Sequence, residues 1–438
     1  MSPQVTPITS HDVTIIGGGL AGKAASLHLS RAGFSVVCIQ PETPSRPAVG
    51  ESLDWSAPEL LRVLGLPMEL LVREEIATWK RHVTVKMPDG GGEDYIPSPW
   101  LSGFPFHVEL RTLHVDRVRL DDELQKMIAR ENIHLVQDKV TQIEKQDRRI
   151  LSVRTEGGLE FSSRWYIDAS GFGAPVLARE FDLPAIQYGP PKVAAWTYFN
   201  VSEQVEGTTL YMDPGHGQYL GWTWEIPIRP RIVSVGFVLS GAAVRTKRDG
   251  GLSVEEVFRQ QLENFPRFKP LLDGGVRSPL NITSFRCRVH LGVAGPNWMM
   301  AGEAASMVDP MTSNGVTAAL RHASEASDLI IKYRNRGRLP QRAQNLYSKR
   351  ILQMAKFFND GIEKIVYEPP VRERVGLPKA GMLYTSPAWS MNVVYARLKP
   401  KGTLATFILT SMLAFFRASA DLLYRFCNRP RALAQRPS

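Results

Sequence analysis

A chain of 438 residues that is 43% hydrophobic and 22% charged buries a sizeable core, as one large domain or two, and is neither disordered nor fibrous. Its net charge of +10 comes without interleaved basic and aromatic residues, which argues against nucleic acid as a partner. Cys38, Cys287 and Cys427 are too few and too far apart for a disulfide framework or a metal cluster, so a reducing, cytoplasmic setting and no metal are expected.

Residues 1–11 are polar and have no apolar h-region, so no secretory signal is expected. Residues 13–22 read Val-Thr-Ile-Ile-Gly-Gly-Gly-Leu-Ala-Gly, four strand-forming residues running into Gly17-x-Gly19-x-x-Gly22. Residues 23–31 read as a helix, Gly33 ends it, and residues 34–39 form a second strand. That strand–turn–helix–strand context makes the glycines a dinucleotide fingerprint. Gly17 permits the tight turn, Gly19 lets backbone approach a pyrophosphate, and Gly22 lets the helix pack close to the strand. The helix N-terminus then offers free N–H groups to the phosphates. A ribose-binding carboxylate is due about 20 positions on. Gln40 stands there and Glu42 two residues later, so the ribose contact is open between an amide and a carboxylate.

Residues 46–106 are mixed, with Gly- and Pro-rich loops at 89–92 and 97–105. Residues 111–130 read as a helix and 133–170 alternate as strands. Residues 190–240 are strand-rich, and 317–333 and 344–364 are helical. The basic excess lies at the end, where residues 364–438 hold 12 Lys/Arg against 3 Asp/Glu, a balance of +9. Within them residues 403–416 are almost wholly apolar, too short for a confident membrane span. Arg397, Lys399 and Lys401 precede them; Arg417, Arg425, Arg429 and Arg431 follow. A helix packed on the body, a helix docked at a membrane surface, and a face for an acidic partner protein all suit this pattern.

Three motifs in order resemble the p-hydroxybenzoate hydroxylase-like flavoproteins. They are the glycine turn, Tyr166-Ile167-Asp168-Ala169-Ser170-Gly171, and Met299-Met300-Ala301-Gly302-Glu303-Ala304-Ala305 with Asp309-Pro310 and Asn314-Gly315-Val316 behind it. The resemblance implies FAD. It assigns Glu303 to the ribityl chain and points the N-terminus of the helix after Gly315 at the flavin pyrimidine. Its cofactor set is Gly17, Gly19, Gly22, Gln40, Glu42, Glu51, Ser52, Arg117, Asp168, Gly302, Glu303, Gly315 and Val316. No second glycine fingerprint for NADPH is visible.

Between those motifs, Trp222-x-Trp224-x-Ile226-Pro227 resembles the signature of flavin-dependent halogenases. On a strand the two tryptophans and Ile226 share one face, which also suits a plain sheet core. Val49-Gly50-Glu51-Ser52 and Ala77-Thr78-Trp79-Lys80 are similar to two further segments of that family, the second carrying its catalytic lysine. The resemblance implies that reduced flavin and O2 convert halide to a hypohalous oxidant. Lys80 would direct it onto an electron-rich ring, and Trp222 and Trp224 would wall the substrate from the flavin. Lys86 is the fallback if the register is shifted. Asn314 and Gly315 would hold the halide, where the family has Ser/Thr-Gly. Thr312 stands where tryptophan halogenases carry a glutamate, which points away from free tryptophan.

The fold expected is α/β: a Rossmann-type FAD-binding domain interleaved with a β-sheet substrate region, plus a helical C-terminal part. The FAD and monooxygenase-like part should span 8–335, with substrate sheet at about 46–106 and 176–284, and a helical, basic region 336–438. The function expected is FAD- and O2-dependent halogenation of a phenol, pyrrole or indole. The ring would be a free small molecule, carrier-tethered or on a peptide, and a separate flavin reductase would serve as partner. Aromatic hydroxylation by a flavin monooxygenase and a geranylgeranyl reductase-like activity at a membrane are the rival enzymes. A non-catalytic flavin-binding protein is the rival outside enzymology. The location expected is cytoplasmic or at the membrane periphery.

Overall fold

The computed structural model describes residues 8–42, 47–95, 102–103, 107, 110–173, 175–203, 206–214, 219–274, 277–377, 379–380, 390–393 and 403–428. The loop at 97–105 thus lies mostly outside the described residues, as do Arg397, Lys399, Lys401, Arg429 and Arg431.

The chain starts as its first forty residues dictate. Strand β1 (Ile8–Ile16) turns through the glycines into helix α1 (Leu20–Arg31), and β2 (Val36–Gln40) pairs parallel with β1. Gly33 adopts φ +80° at the helix exit, a conformation glycine takes without a Cβ clash. Short helices α2 (Ala57–Val63) and α3 (Met68–Arg73) lead to β3 (Ala77–Lys80), β4 (Val83–Lys86) and β5 (Gly92–Tyr95).

One expected helix starts later than its sequence suggests. Residues 112–115 form strand β6 (Thr112–Val115), paired antiparallel with β3, and only then does α4 (Arg117–Arg130) begin. Every residue of β6 is buried, so no solvent face exists to give it a helical period. The signal was Asp116, whose carboxylate accepts from the Val118 and Arg119 amides at 3.1 Å and starts the helix there.

Strands β7 (Ile133–Gln137), β8 (Val140–Gln146), β9 (Arg149–Thr155) and β10 (Glu160–Asp168) complete most of the first sheet, with order β7-β2-β1-β10-β9-β8. Helix α5 (Val176–Glu180) follows β10. The second sheet takes β11 (Ala185–Asn200), β12 (Thr208–Asp213), β13 (Gly221–Arg229), β14 (Ile232–Ser240) and β15 (Asn281–His290). Helices α6 (Gly241–Asp249), α7 (Val254–Glu263) and α8 (Lys269–Gly274) sit between β14 and β15. Strand β16 (Trp298–Met300) then returns to the first sheet, parallel to β10, while β17 (Ser306–Met307) joins the second.

The second sheet has order β17-β15-β11-β14-β13-β12-β4-β5. It draws on three separate stretches of chain and is interleaved with the first, in an α/β fold of Rossmann type. Helix α9 (Gly315–Tyr333) starts two residues before the expected Thr317 and packs on α1. Helix α10 (Gln341–Ile362) continues into a π-turn at Glu363–Tyr367, then α11 (Pro369–Val375) and the long α12 (Thr403–Cys427). The boundary drawn at 335/336 falls on the turn between α9 and α10. Beyond it the chain is tied to the main body: the Tyr347 hydroxyl donates to Met300 O at 2.8 Å, and Asn359 donates to Met307 O at 3.1 Å.

Candidate functional site

The carboxyl ends of parallel strands β1, β2, β10 and β16 meet at the glycine turn, where open α/β sheets place ligands. A Cβ on Gly22 would stand 1.9 Å from Gly17 O, and one on Gly17 would stand 2.4 Å from Ala169 O, so neither position accepts a side chain. A Cβ on Gly19 would meet nothing within 4 Å. Gly17 and Gly22 are spent on packing, and Gly19 faces open space. The Gln40 amide lies against Gly18 at the same turn, whereas Glu42 is exposed beyond the strand end. Of the two candidates for the ribose, Gln40 is at the turn.

Asp168 does something else. Its carboxylate accepts from the Ser170 amide at 3.0 Å and the Leu177 amide at 2.7 Å, and it is fully buried. Burial holds its carboxyl above the usual range against those bonds. Asp168 fixes the turn that carries Ala169 against Gly17 rather than reaching into the cleft.

The remaining cofactor candidates converge on one region. The Gly50 carbonyl and the Val49 carbonyl accept from Arg117 Nη1 at 3.4 and 3.1 Å. A Cβ on Gly50 would lie 3.9 Å from Val316 Cγ2. Gly302, at φ +61°, nestles against Ala21 and Ala319 at the starts of α1 and α9. Glu303 is open to solvent, yet enough protein surrounds it that desolvation raises its carboxyl above the usual range, with Arg117 and Arg288 pulling it back. Glu51 is buried and among the described residues its Oε1 has no hydrogen-bond partner; burial pushes its carboxyl up to about 7.

Lys80 lies at the end of β3, fully buried. Its ammonium donates to Ser52 Oγ at 2.8 Å, to Leu53 O at 2.8 Å and to Ser313 Oγ at 3.4 Å, and sits 4.7 Å from the centre of the Trp55 ring. Burial brings its pKa down to about 7, with Asp54 acting the other way. Lys86 is partly exposed on β4 in the other sheet.

A buried chain of hydroxyls extends behind the lysine. Ser52 Oγ contacts Thr208 Oγ1 at 2.7 Å, and Thr208 Oγ1 contacts His114 Nε2 at 2.9 Å. His114 is held well below the usual histidine range by burial, then by Lys80 and His82. Ser313, Thr208 and His114 escaped sequence reasoning. Ser313 alone carried a signal, its place beside Asn314-Gly315. It takes φ +57°, an uncommon left-handed conformation for a residue with a Cβ.

The halide candidates lie next to that serine. Asn314 precedes α9 and Gly315 opens it, where a Cβ would meet nothing within 4 Å. The Asn314 side-chain oxygen accepts from Asn392 Nδ2 at 2.9 Å, and the same amide donates to Asp54 Oδ2 at 3.2 Å. Asn392, from the C-terminal region, thereby ties Asn314 to the segment after Ser52. Thr312 is buried and its hydroxyl donates to Asp309 O at 3.1 Å.

Strand β13 is buried almost from end to end, so Trp222 and Trp224 belong to the hydrophobic core. Their rings lie 5.6 Å apart. Trp222 Nε1 donates to the Tyr367 hydroxyl at 2.8 Å, and that hydroxyl donates to Asp309 Oδ1 at 3.0 Å. Asp309 Oδ2 accepts from Lys192 at 3.0 Å, and Lys192 also pairs with Glu363. Burial alone would lower the Lys192 pKa; Asp309, Cys287, Tyr367 and Glu363 outweigh it and hold the ammonium well above its usual range. This ionic cluster anchors Asp309, whose carboxylate accepts from Met311 N at 3.0 Å and shapes the turn leading to Ser313.

The cleft suits FAD on three counts. Gly19, Gly171 and Gly315 leave space where a Cβ would stand, the first and last of these stand at the N-termini of α1 and α9, and among the described residues Glu51 Oε1 and Thr317 Oγ1 are buried without hydrogen-bond partners.

The description "Tryptophan halogenase" belongs to the family model that matches residues 107–360; a second model, lycopene cyclase protein, matches residues 12–189. The tryptophan 2-halogenase of Chondromyces crocatus is 26% identical over 331 residues, 72% of this chain and 60% of the relative. The 1H-pyrrole-2-carbonyl-[peptidyl-carrier protein] brominase of Pseudoalteromonas luteoviolacea is 25% identical over 73% of this chain and 77% of its own. The match thus spans only part of the relatives' length. In fold, the flavin-dependent brominase Bmp2 superposes at a TM-score of 0.72 with 20% identity, over 95% of this chain and all of that one. The flavin-dependent halogenase CmlS superposes at 0.71 with 22% identity, over 96% and 79%. With more than half of its length matched by the family model, the chain belongs to the tryptophan halogenase family.

Proposed function

We propose that this chain is an FAD-dependent enzyme that halogenates an electron-rich aromatic ring. The observation that carries it is the buried ammonium of Lys80, held between the Ser52–Leu53 segment and Ser313 of the halide loop. Bound FAD, reduced, would supply the electrons that turn O2 into an oxidant for halide. Gly17, Gly19, Gly22 and Gln40 would take its nucleotide end. Glu51, Arg117, Glu303 and the α9 N-terminus at Gly315 and Val316 would surround the rest. Asn314 and Gly315 would hold the halide.

Lys80 then works on hypohalous acid. As a donor it hydrogen-bonds the oxidant and aims it. As a free amine, which a pKa of about 7 makes available, it attacks the halogen: an N–halogen bond forms, the O–halogen bond breaks, and the hydroxide leaves with the amine proton as water. A ring carbon next attacks that halogen, the N–halogen bond breaks with its electron pair going to nitrogen, and the ring proton passes to that nitrogen to restore the amine. Trp222 and Trp224 would form the substrate wall. Thr312, whose hydroxyl is turned back to Asp309 O, offers no carboxylate to a free indole, which favours a phenol or pyrrole, free or carrier-tethered. A separate flavin reductase would provide reduced FAD. The three cysteines are free and buried, which suits a reducing compartment.

The deciding experiment is mass spectrometry of products from reduced FAD, O2 and bromide with a panel of phenols, pyrroles and indoles. Brominated product supports the reading. Hydroxylated product formed equally well without any halide would sink it.

A further inference from the structure

We infer that the outer face of α12 is a docking surface for an anionic lipid bilayer, on which the helix lies flat. The helix has two apolar faces, and among the described residues only one packs against the rest of the protein. Leu409, Leu413, Ala420 and Cys427 are buried, and the Phe416 ring packs 6.3 Å from that of Phe357 on α10. On the other side Leu404, Phe407, Ile408, Met412, Phe415, Leu422 and Phe426 are 39–72% exposed. Their spacing returns every three, four or seven residues, so they form one stripe along the helix. From Leu404 to Phe426 the stripe runs about 33 Å. Soluble proteins rarely leave so many large side chains exposed in one row.

Charge chooses the occupant. Residues 364–438 carry 12 Lys/Arg and 3 Asp/Glu. Arg425 is exposed next to the stripe, and the Arg374 guanidinium sits 5.6 Å from the Phe426 ring centre. Basic residues precede and follow the helix in sequence. Apolar side chains flanked by Lys and Arg suit the boundary between acyl chains and anionic headgroups. A second copy of this chain is a poor fit, because a two-fold contact through the stripe would bring two basic regions together.

The inner face rules on orientation. Asp421 pairs with Lys364 at 2.6 Å, Arg374 donates to Phe426 O at 3.1 Å, and Tyr424 donates to Glu368. A 21-residue window, Phe407–Cys427, is long and apolar enough to cross a bilayer by length and composition. Crossing would strip those polar contacts off the body; lying in the interface keeps them all. The surface is independent of the flavin reading, and its test does not involve turnover.

The test is flotation of the full chain with phosphatidylcholine vesicles, with and without phosphatidylglycerol, followed by the triple variant Phe407→Ser, Phe415→Ser, Phe426→Ser. The parent should float with the anionic vesicles and float less as salt is raised. The variant should lose at least about tenfold in partitioning for each phenyl removed. Its melting temperature should stay near that of the parent, because the three rings face outward; a separate variant, Leu413→Ser on the inner face, should lower it. No flotation of a folded parent with either vesicle would overturn the inference. So would a parent dimer by light scattering that the triple variant turns to monomer, which would give the stripe to a second copy.

Discussion

Lys80 and Ser313 are 233 positions apart in the chain, and Nζ of one stands 3.4 Å from Oγ of the other. One comes from the last residue of a short strand and the other from a left-handed residue just before α9. Ser52 bonds both, at 2.8 and 3.2 Å, so three distant segments close around one ammonium. An ammonium buried this deeply is costly unless it is hydrogen-bonded, and its neighbours here are mostly neutral oxygens. Such a group is poised to change charge near neutral pH, which suits a site where it must both donate a proton and act as an amine.

That burial has a consequence for stability. Lys80 titrates near 7 in the folded chain and near 10.5 when unfolded. Between those values the unfolded chain binds the proton that the folded chain has released. The parent should therefore gain stability relative to Lys80→Met as pH rises from about 7 to 10.5, with a slope of at most about 1.4 kcal/mol per pH unit. Below pH 7 the full cost of burying the charge is present. Urea denaturation of both proteins from pH 6 to 10 measures the difference. A flat difference would mean that Lys80 is solvated.

Gly19 offers a substitution that separates ligand from fold. Its backbone is extended, at φ −70° and ψ −174°, which any residue adopts, and a Cβ there meets nothing within 4 Å. Gly19→Val should leave the melting temperature of the apoprotein unchanged. It should weaken FAD binding at least about tenfold, because the side chain projects where the pyrophosphate would approach. Titration of apoprotein with FAD, followed by fluorescence, reads this out. Equal affinity in the variant would mean that the cofactor lies elsewhere.

The Lys192 cluster should matter for stability. Lys192→Met leaves Asp309 and Glu363 buried without their cation, and should cost about 3–5 kcal/mol in denaturant unfolding. Adding Glu363→Gln removes one of the stranded charges and should recover part of the loss. If the double variant is no better than the single one, the lysine acts by packing alone.

How far the sequence reaches is clear from particular residues. The glycine turn was legible because strand, turn and helix are local and each glycine has a steric reason. The interleaved sheets were legible because the motifs of the first sheet lie at both ends of the chain. Strand β6 was not, because a fully buried four-residue strand has no alternation to read and ran into a true helix. Asp168 has a local use that its motif does not show: its carboxylate caps its own turn through the Ser170 and Leu177 amides. Ser313, His114 and Asn392 were invisible as a group, since only the fold brings them round Lys80 and Asn314. The Lys192 cluster was hidden for the same reason, joining β11, the Asp309 turn and the π-turn after α10.

Lys80 should be needed for product and not for the flavin half of the reaction. The order of events gives the reason. Reduced FAD would meet O2 beside the glycine turn, Glu51, Arg117 and Glu303, whereas the Lys80 ammonium bonds Ser52, Leu53 and Ser313. In the proposed function the lysine would act on the oxidised halogen afterwards, at the boundary with the substrate. Lys80→Ala removes the amine and leaves Ser52, Thr208 and His114 to bond one another. The variant should consume O2 with reduced FAD at a rate near that of the parent and release the oxidising equivalents as peroxide. Halogenated product should fall by at least about a hundredfold, the scale on which a positioned acid–base group contributes. Lys86→Ala, in the other sheet, is the control and should keep product formation. An oxygen electrode, a peroxide assay and mass spectrometry on the same reactions separate these quantities. Loss of product in Lys86→Ala with full activity in Lys80→Ala would move the role to Lys86. Hydroxylated product from Lys80→Ala without halide would move the whole chain to the hydroxylases.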